Sequence, residues 1–531
     1  MNVAPDRDAA DSAPAAQFRS RRNAWMLALV LCVAAIRLWR SPWSASDLSV
    51  VPDSVEYAVG AQRIATLGEY DIAIGPYAYP PRYLPWFSLL LAPAYALVPH
   101  ELGIGIVPVF VLTLCAVGAA FVLGRELAGE CGAVASALAL VCFEEFRRDA
   151  TKIMTDVPAL AFALWSCVLY LRLRRGGERN APWLLAGVLC AAAFALRLEL
   201  LAVTLPFLVL ALKTKQRRLV HSLSFSLPVI GVALGSAYYN GTTFGSWTRT
   251  GYQFWLPELD DRLANVLAPR FLAPNLAVLE TFWVVCAIGF GILGVWRLLL
   301  TRSPETRGLL SFFVLGALPG SLFHFFYFYQ DARFQLLSLA ILCVFAGAAL
   351  ATFAPDPVRA RAHRLLPLIA IAALALPASP EPVPYRRIAA DTLARETPPN
   401  ATIISAIDPV YLEPTVTRDT GRHIVAYSRA VDYAGRSVRV GWIWAGSCRP
   451  MIGVGLVMAF DTTADTVEPV IERVADEQTA DVRAWIRKGE PVFLDHSFIP
   501  KDYPLERILG DDLELVRVKD YVWLSRVELK H

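Results

Sequence analysis

Charge is what this sequence is short of. Of its 531 residues only 18% are Asp, Glu, Lys or Arg, while 56% are apolar; a soluble chain carries about a quarter charged residues. That shortage excludes a purely soluble protein. The net charge of +3 is too small to attract nucleic acid, which excludes that class of partner. There are nine cysteines but no Cys-x-x-Cys pair, so neither a zinc knuckle nor a thioredoxin-like centre is supported. Eight of them lie in or beside apolar stretches and only Cys448 falls in the polar tail, so that tail can form no internal disulfide. No internal repeat is visible. Symmetry between halves, which many transporters show, is also lacking.

What is present is a series of apolar stretches near the length of about 20 residues that a spanning helix needs. They lie near 24–39, 104–123, 132–146, 157–171, 182–196, 199–212, 219–238, 275–296, 309–327, 334–353 and 365–378. The expected fold is an all-α polytopic membrane protein of about 11 transmembrane helices. The first stretch is read as an uncleaved helix rather than a signal peptide, because Cys32 follows Leu31 and more spans come later. Basic clusters at Arg19–Arg22, Arg125, Arg172–Arg179, Lys213–Arg218, Arg297–Arg307 and Arg359–Arg364 fall at alternate loops, which places them in the cytoplasm. The N-terminus is then inside, with residues 1–23 a disordered cytoplasmic tail, and everything after Leu376 is outside. This alternation requires Tyr83–Val98, apolar but carrying Pro85 and Pro93, to lie at the outer interface or re-enter rather than cross.

Residues 379–531 are a different material, expected to form an extracytoplasmic α/β soluble domain after a linker of four prolines within 376–384. Short β-like runs stand at Thr402–Ala406, Gly453–Ala459 and Pro491–Leu494, and helical patterning at Val467–Lys488. Leu513–Val518 and Val522–Val527 flank Lys519-Asp520 as a hairpin would.

The chemistry-bearing residues collect in the outer segments of the 24–378 membrane domain. The first outer loop, 41–103, holds Asp53, Glu56, Tyr57 and, beyond a helix-like run, Arg82. The second is dense in charge from Glu144 to Asp156, and Pro158 places Asp156 at the start of the next helix, where a carboxylate is favoured. Paired carboxylates suit base catalysis or a divalent cation, and an arginine suits a phosphate. Arg197 and Glu199 interrupt an apolar run, and Asp331 and Arg333 stand between two others. Charges at such depth tend to pair or to serve a site.

Four stretches together carry a family likeness. They are Pro52-Asp53-Ser54-Val55-Glu56-Tyr57 with Tyr79-Pro80-Pro81-Arg82-Tyr83; Thr155-Asp156-Val157-Pro158; Tyr239-Asn240-Gly241-Thr242-Thr243-Phe244-Gly245-Ser246 with Thr250-Gly251-Tyr252; and Asp331-Ala332-Arg333-Phe334. In order and spacing the chain resembles the bacterial polyprenyl-phosphate-sugar-dependent glycosyltransferases of the GT-C fold, the class of protein O-mannosyltransferases and aminoarabinose transferases. It departs from them in having Ser54 beside Asp53 and Ala78-Tyr79 before the Pro-Pro. The resemblance implies an inverting transfer from a polyprenyl-phosphate sugar to the hydroxyl of a glycan, lipid or protein at the outer face of the inner membrane. Asp53 would be the catalytic base. Glu56, Tyr57, Arg82, Asp156, Arg197 and Arg333 would bind substrate, the arginines meeting the lipid phosphate. No metal is assigned; a divalent cation is the cofactor to test. The alternatives left open are a catalytically inactive assembly or binding subunit on the same fold and, further off, a multi-pass transporter.

Overall fold

The computed structural model describes residues 7–49, 53–74, 77–176, 180–213, 217–255, 267–353, 381–405, 407–426, 482–497 and 512–530, with short strands between 429 and 451. The expected span at 365–378, the run at Gly453–Ala459 and Cys448 lie outside these residues. The chain packs as two compact units. One comprises residues 1–40, 106–235 and 269–381, the other 41–105, 236–268 and 382–531. The first outer loop thus belongs with the tail from 382 on, not with the helices that flank it in sequence.

The first unit is a multi-pass membrane bundle. Across the described residues, six helical stretches are long and apolar enough to cross: Leu102–Cys142, Asp156–Arg174, Arg218–Phe244, Phe282–Leu300, Pro304–Phe325 and Ala332–Phe353. Leu219, Leu223, Leu227, Ile230 and Leu234 stay exposed along one of them, a surface that suits hydrocarbon rather than water. The segment Ile106–Cys142 is two rods, because Ala128 and Gly129 leave helical geometry and Gly129 takes φ +67°. The rods press together at Gly124 and Gly132, where a Cβ on either would stand 2.3–2.5 Å from the other's carbonyl oxygen. Two of the expected spans are therefore one helical hairpin. Small residues let further helices approach closely: the Ser136 hydroxyl donates to the Val344 carbonyl at 2.9 Å, and Gly294 lies against the Phe345 backbone. Pro319 has no N–H to give, and a π turn at Phe313–Ala317 precedes it. The first helix begins at Arg7 and runs to Leu38.

In the second unit, Trp86–Leu97 is a helix of 12 residues with Pro93 inside it, about 18 Å long and short of the roughly 30 Å hydrocarbon core. The tail contributes a five-stranded sheet in the order Leu513–Arg517, Leu524–Leu529, Val492–Asp495, Thr402–Ser405, His423–Ala426. The two C-terminal strands form the antiparallel hairpin, and the central strands run parallel. Residues 482–487 of the expected Val467–Lys488 helix are helical. Polar contacts bind tail to loop. The Arg386 backbone N–H donates to Asp47 at 2.6 Å, and the Tyr411 hydroxyl donates to the Ser46 carbonyl at 2.9 Å. Buried Arg63 pairs with Asp71, with Glu69 at 3.3 Å and with Glu413 of the tail at 3.5 Å.

Candidate active site

In the second unit the site grows from the first turn of the helix Asp53–Leu67. Asp53 and Glu56 stand three residues apart, on one helical face, at the end where the helix dipole favours negative charge. Glu56 is 1% exposed. Arg82 holds it twice: its Nε stands 2.7 Å from one carboxylate oxygen, and its backbone N–H donates to the other at 2.8 Å. Burial pushes the Glu56 carboxyl up to about 7, outweighing the opposing pull of Arg82. Asp53 is half-buried and accepts the Tyr83 hydroxyl. The Tyr83 ring meets Tyr57 at 4.5 Å and Tyr252 at 5.5 Å, so an aromatic wall stands beside the acids.

Two elements far away in sequence complete this arrangement. Gly251 lies so close to the Pro81 and Arg82 carbonyls that a Cβ there would stand 2.5 Å from each oxygen; the third motif loop thereby backs the arginine. From the tail comes Asp408, 6% exposed, which caps the short helix Pro409–Leu412 that packs on Asp53–Leu67. Burial raises the Asp408 carboxyl, and its charge acts on both Glu56 and Arg82.

The first unit holds a second polar cluster. The helix Asn180–Leu196 ends, and Arg197 takes an extended conformation before a 3-10 turn at Leu198–Thr204. This break is what places charge inside an apolar run. Arg197 pairs with Asp156, 3% exposed at the head of Asp156–Arg174, and with Glu199. Its guanidinium carbon lies 5.0 Å from the centre of the Phe334 ring, and that of Arg333 lies 5.3 Å from it. Asp331 caps the turn Ala332–Gln335 by accepting the Arg333 N–H at 3.0 Å. It is also shared between the Arg333 side chain at 3.4 Å and Arg148 at 3.3 Å. Arg148 pairs in addition with Glu145 at 2.7 Å. His324 stacks on Phe334 at 4.4 Å.

The structure thus brings Asp53, Glu56, Tyr57 and Arg82 together in one unit, and Asp156, Arg197 and Arg333 together in the other. Reading the sequence missed Asp408 and His324. Asp408-Pro409 signals a helix cap and nothing more, and His324 hides in an apolar, aromatic run. Among the described residues no three of His, Cys, Asp and Glu stand close enough to hold a metal ion.

Residues 81–238 match the family profile described as dolichyl-phosphate-mannose-protein mannosyltransferase. The solved structure of ArnT from Cupriavidus metallidurans in the apo state superposes with a TM-score of 0.59 at 14% identity, covering 95% of this chain and 97% of that one. The same protein bound to undecaprenyl phosphate gives 0.61 at 13%, with the same coverage. At this identity the likeness is one of fold, and the fold is the expected GT-C fold. No curated protein matches by sequence.

Proposed function

We propose that the chain is a membrane glycosyltransferase that takes a sugar from a polyprenyl-phosphate donor and passes it, with inversion, to an acceptor hydroxyl at the outer face of the inner membrane. The reading counts about 11 transmembrane helices, with the N-terminus in the cytoplasm and the tail outside. The observation that carries it is Asp53: a half-buried carboxylate, held by Tyr83 within an aromatic wall, in a chain whose fold follows along almost its whole length that of a protein solved with undecaprenyl phosphate.

In this reading Asp53 takes the acceptor proton as the hydroxyl attacks the anomeric carbon, and the sugar–phosphate bond breaks on the far side. Tyr57 and Tyr83 offer ring faces to a sugar. Glu56 holds the Arg82 backbone and guanidinium in place. Arg82, Arg333 or Arg197 neutralises the departing phosphate, where fixed positive charge stabilises the leaving group. Asp156 orients Arg197. Arg82 on Glu56 and Arg197 on Asp156 stand where a divalent cation would otherwise balance these acids, so transfer should survive chelation by EDTA.

The test is transfer from a labelled polyprenyl-phosphate sugar in membranes, alongside loss of a surface glycan in a deletion strain restored by the wild type. Failure of the wild-type gene to affect any lipid-linked sugar transfer, with the protein inserted and folded, would favour an inactive assembly subunit and end the reading.

A further inference from the structure

Within the membrane unit one side chain is placed with more care than packing demands. His324 is 4% exposed. Its Nδ1 lies 2.9 Å from the Gly320 carbonyl, an oxygen that can only accept, so Nδ1 carries the hydrogen. That bond fixes the ring plane and turns Nε2 toward Glu199, 3.9 Å away. The flat face of the ring stacks on Phe334 with centroids 4.4 Å apart and planes 6° from parallel. Phe334 is the ring on which Arg197 and Arg333 both rest, at 5.0 and 5.3 Å. Glu199 in turn is paired with Arg197. The stack on Phe334 and the contact with Glu199 therefore both lead to these arginines, while Phe323 and Tyr327 meet the imidazole edge-on at 5.3 and 5.6 Å. Phe334 lies within the turn Ala332–Gln335, and Tyr327 and Tyr329 meet its ring edge-on at 5.8 and 6.1 Å; a parallel imidazole clamped by a backbone hydrogen bond fixes the face that these edges leave.

We propose that His324 is a positioning residue: by stacking on Phe334 it holds the aromatic platform that sets where the guanidinium groups of Arg197 and Arg333 stand. This rests on the reading above, in which those groups meet the lipid phosphate. Stacking between aromatic rings is a modest interaction, so its loss should cost about 3- to 10-fold in phosphate binding and not abolish it. The platform, not the hydrogen-bonding nitrogens, is the part that matters. A phenylalanine at this position keeps the ring and should bind as the wild type does.

The experiment uses the full chain purified in lipid nanodiscs, with undecaprenyl phosphate as the probe, and compares His324→Ala, His324→Phe and Arg333→Ala. Affinity is measured without turnover, so no acceptor is needed. Expected is a fall of about 3- to 10-fold for His324→Ala, wild-type binding for His324→Phe, and a larger loss for Arg333→Ala. Equal loss in His324→Ala and His324→Phe would overturn the platform role in favour of the Nε2–Glu199 contact. Wild-type binding in both, with Arg333→Ala impaired, would overturn the role of His324 and leave the phosphate reading standing. Wild-type binding in all three would remove the phosphate site from these arginines and the inference with it.

Discussion

At the scale of the residue, Asp53 and Glu56 are three positions apart and have opposite environments. Asp53 is half-buried and takes a tyrosine hydroxyl; Glu56 is buried and clamped by Arg82. Asp53→Asn keeps the shape and removes the proton acceptor, so transfer should fall about 10²- to 10⁴-fold with insertion unchanged. Wild-type rates in the labelled-donor assay would dismiss Asp53 as the base. Glu56 gives a prediction about pH. Its usual value is 4.5 and its folded value about 7, so the folded chain holds the proton more tightly than the unfolded one. Its contribution to stability is then complete below about 4.5 and is lost as the pH rises toward 7. Thermal midpoints of the purified protein at pH 5 and pH 8 should differ less in Glu56→Gln than in the wild type. The sequence named both acids, but their shared face shows only once the helix is seen to begin at Asp53. Which one would be buried depended on Arg82 and Asp408, brought in by tertiary packing, and no local pattern encodes that.

Elements tell a similar story. The apolar stretches were readable because a membrane demands long runs of one character. The turn joining two of them at Ala128–Gly129 was readable only as a gap, since its closeness depends on Gly124 and Gly132 meeting across the hairpin. Gly124→Ala would put a methyl 2.3 Å from the Gly132 carbonyl oxygen; it should cost about 1–3 kcal/mol by overpacking and lower the melting point seen by size-exclusion chromatography after heating. Gly251 differs in kind, since what it presses on is the backbone of Arg82. Gly251→Ala should lower the melting point as Gly124→Ala does and in addition cut transfer about 10- to 100-fold, as displacement by about an ångström does. A lowered melting point with full activity would contradict that role. The third motif loop was recognised by likeness, but why it needs a glycine there shows only when Pro81 and Arg82 lie against it.

At the scale of the whole molecule, the proposed topology, drawn from the alternation of basic loops, predicts that Asp53 and Asp156 face the outer side. Asp156 is buried, so the test places single cysteines at the exposed Glu69 and Arg148 of the same two loops, in a cysteine-free chain; both should react with an impermeant maleimide added to intact cells. Protection of either one would break the assigned topology. The same charge pattern could not reveal that residues 41–105 pack with residues 382–531, because that pairing rests on a few contacts such as Arg63 with Glu413 and Arg386 with Asp47.

That pairing also sets a timetable. The ribosome completes the first outer loop on the order of 280 residues before the tail begins, and at about 5–20 residues per second that is roughly 14–56 s. Throughout this interval Arg63, Asp47 and the Ser46 carbonyl have been delivered but the tail groups they bind, Glu413, Arg386 and Tyr411, have not yet been made. Nascent chains halted before residue 382 should therefore leave the loop open to an externally added protease, and chains released after the tail is complete should close it.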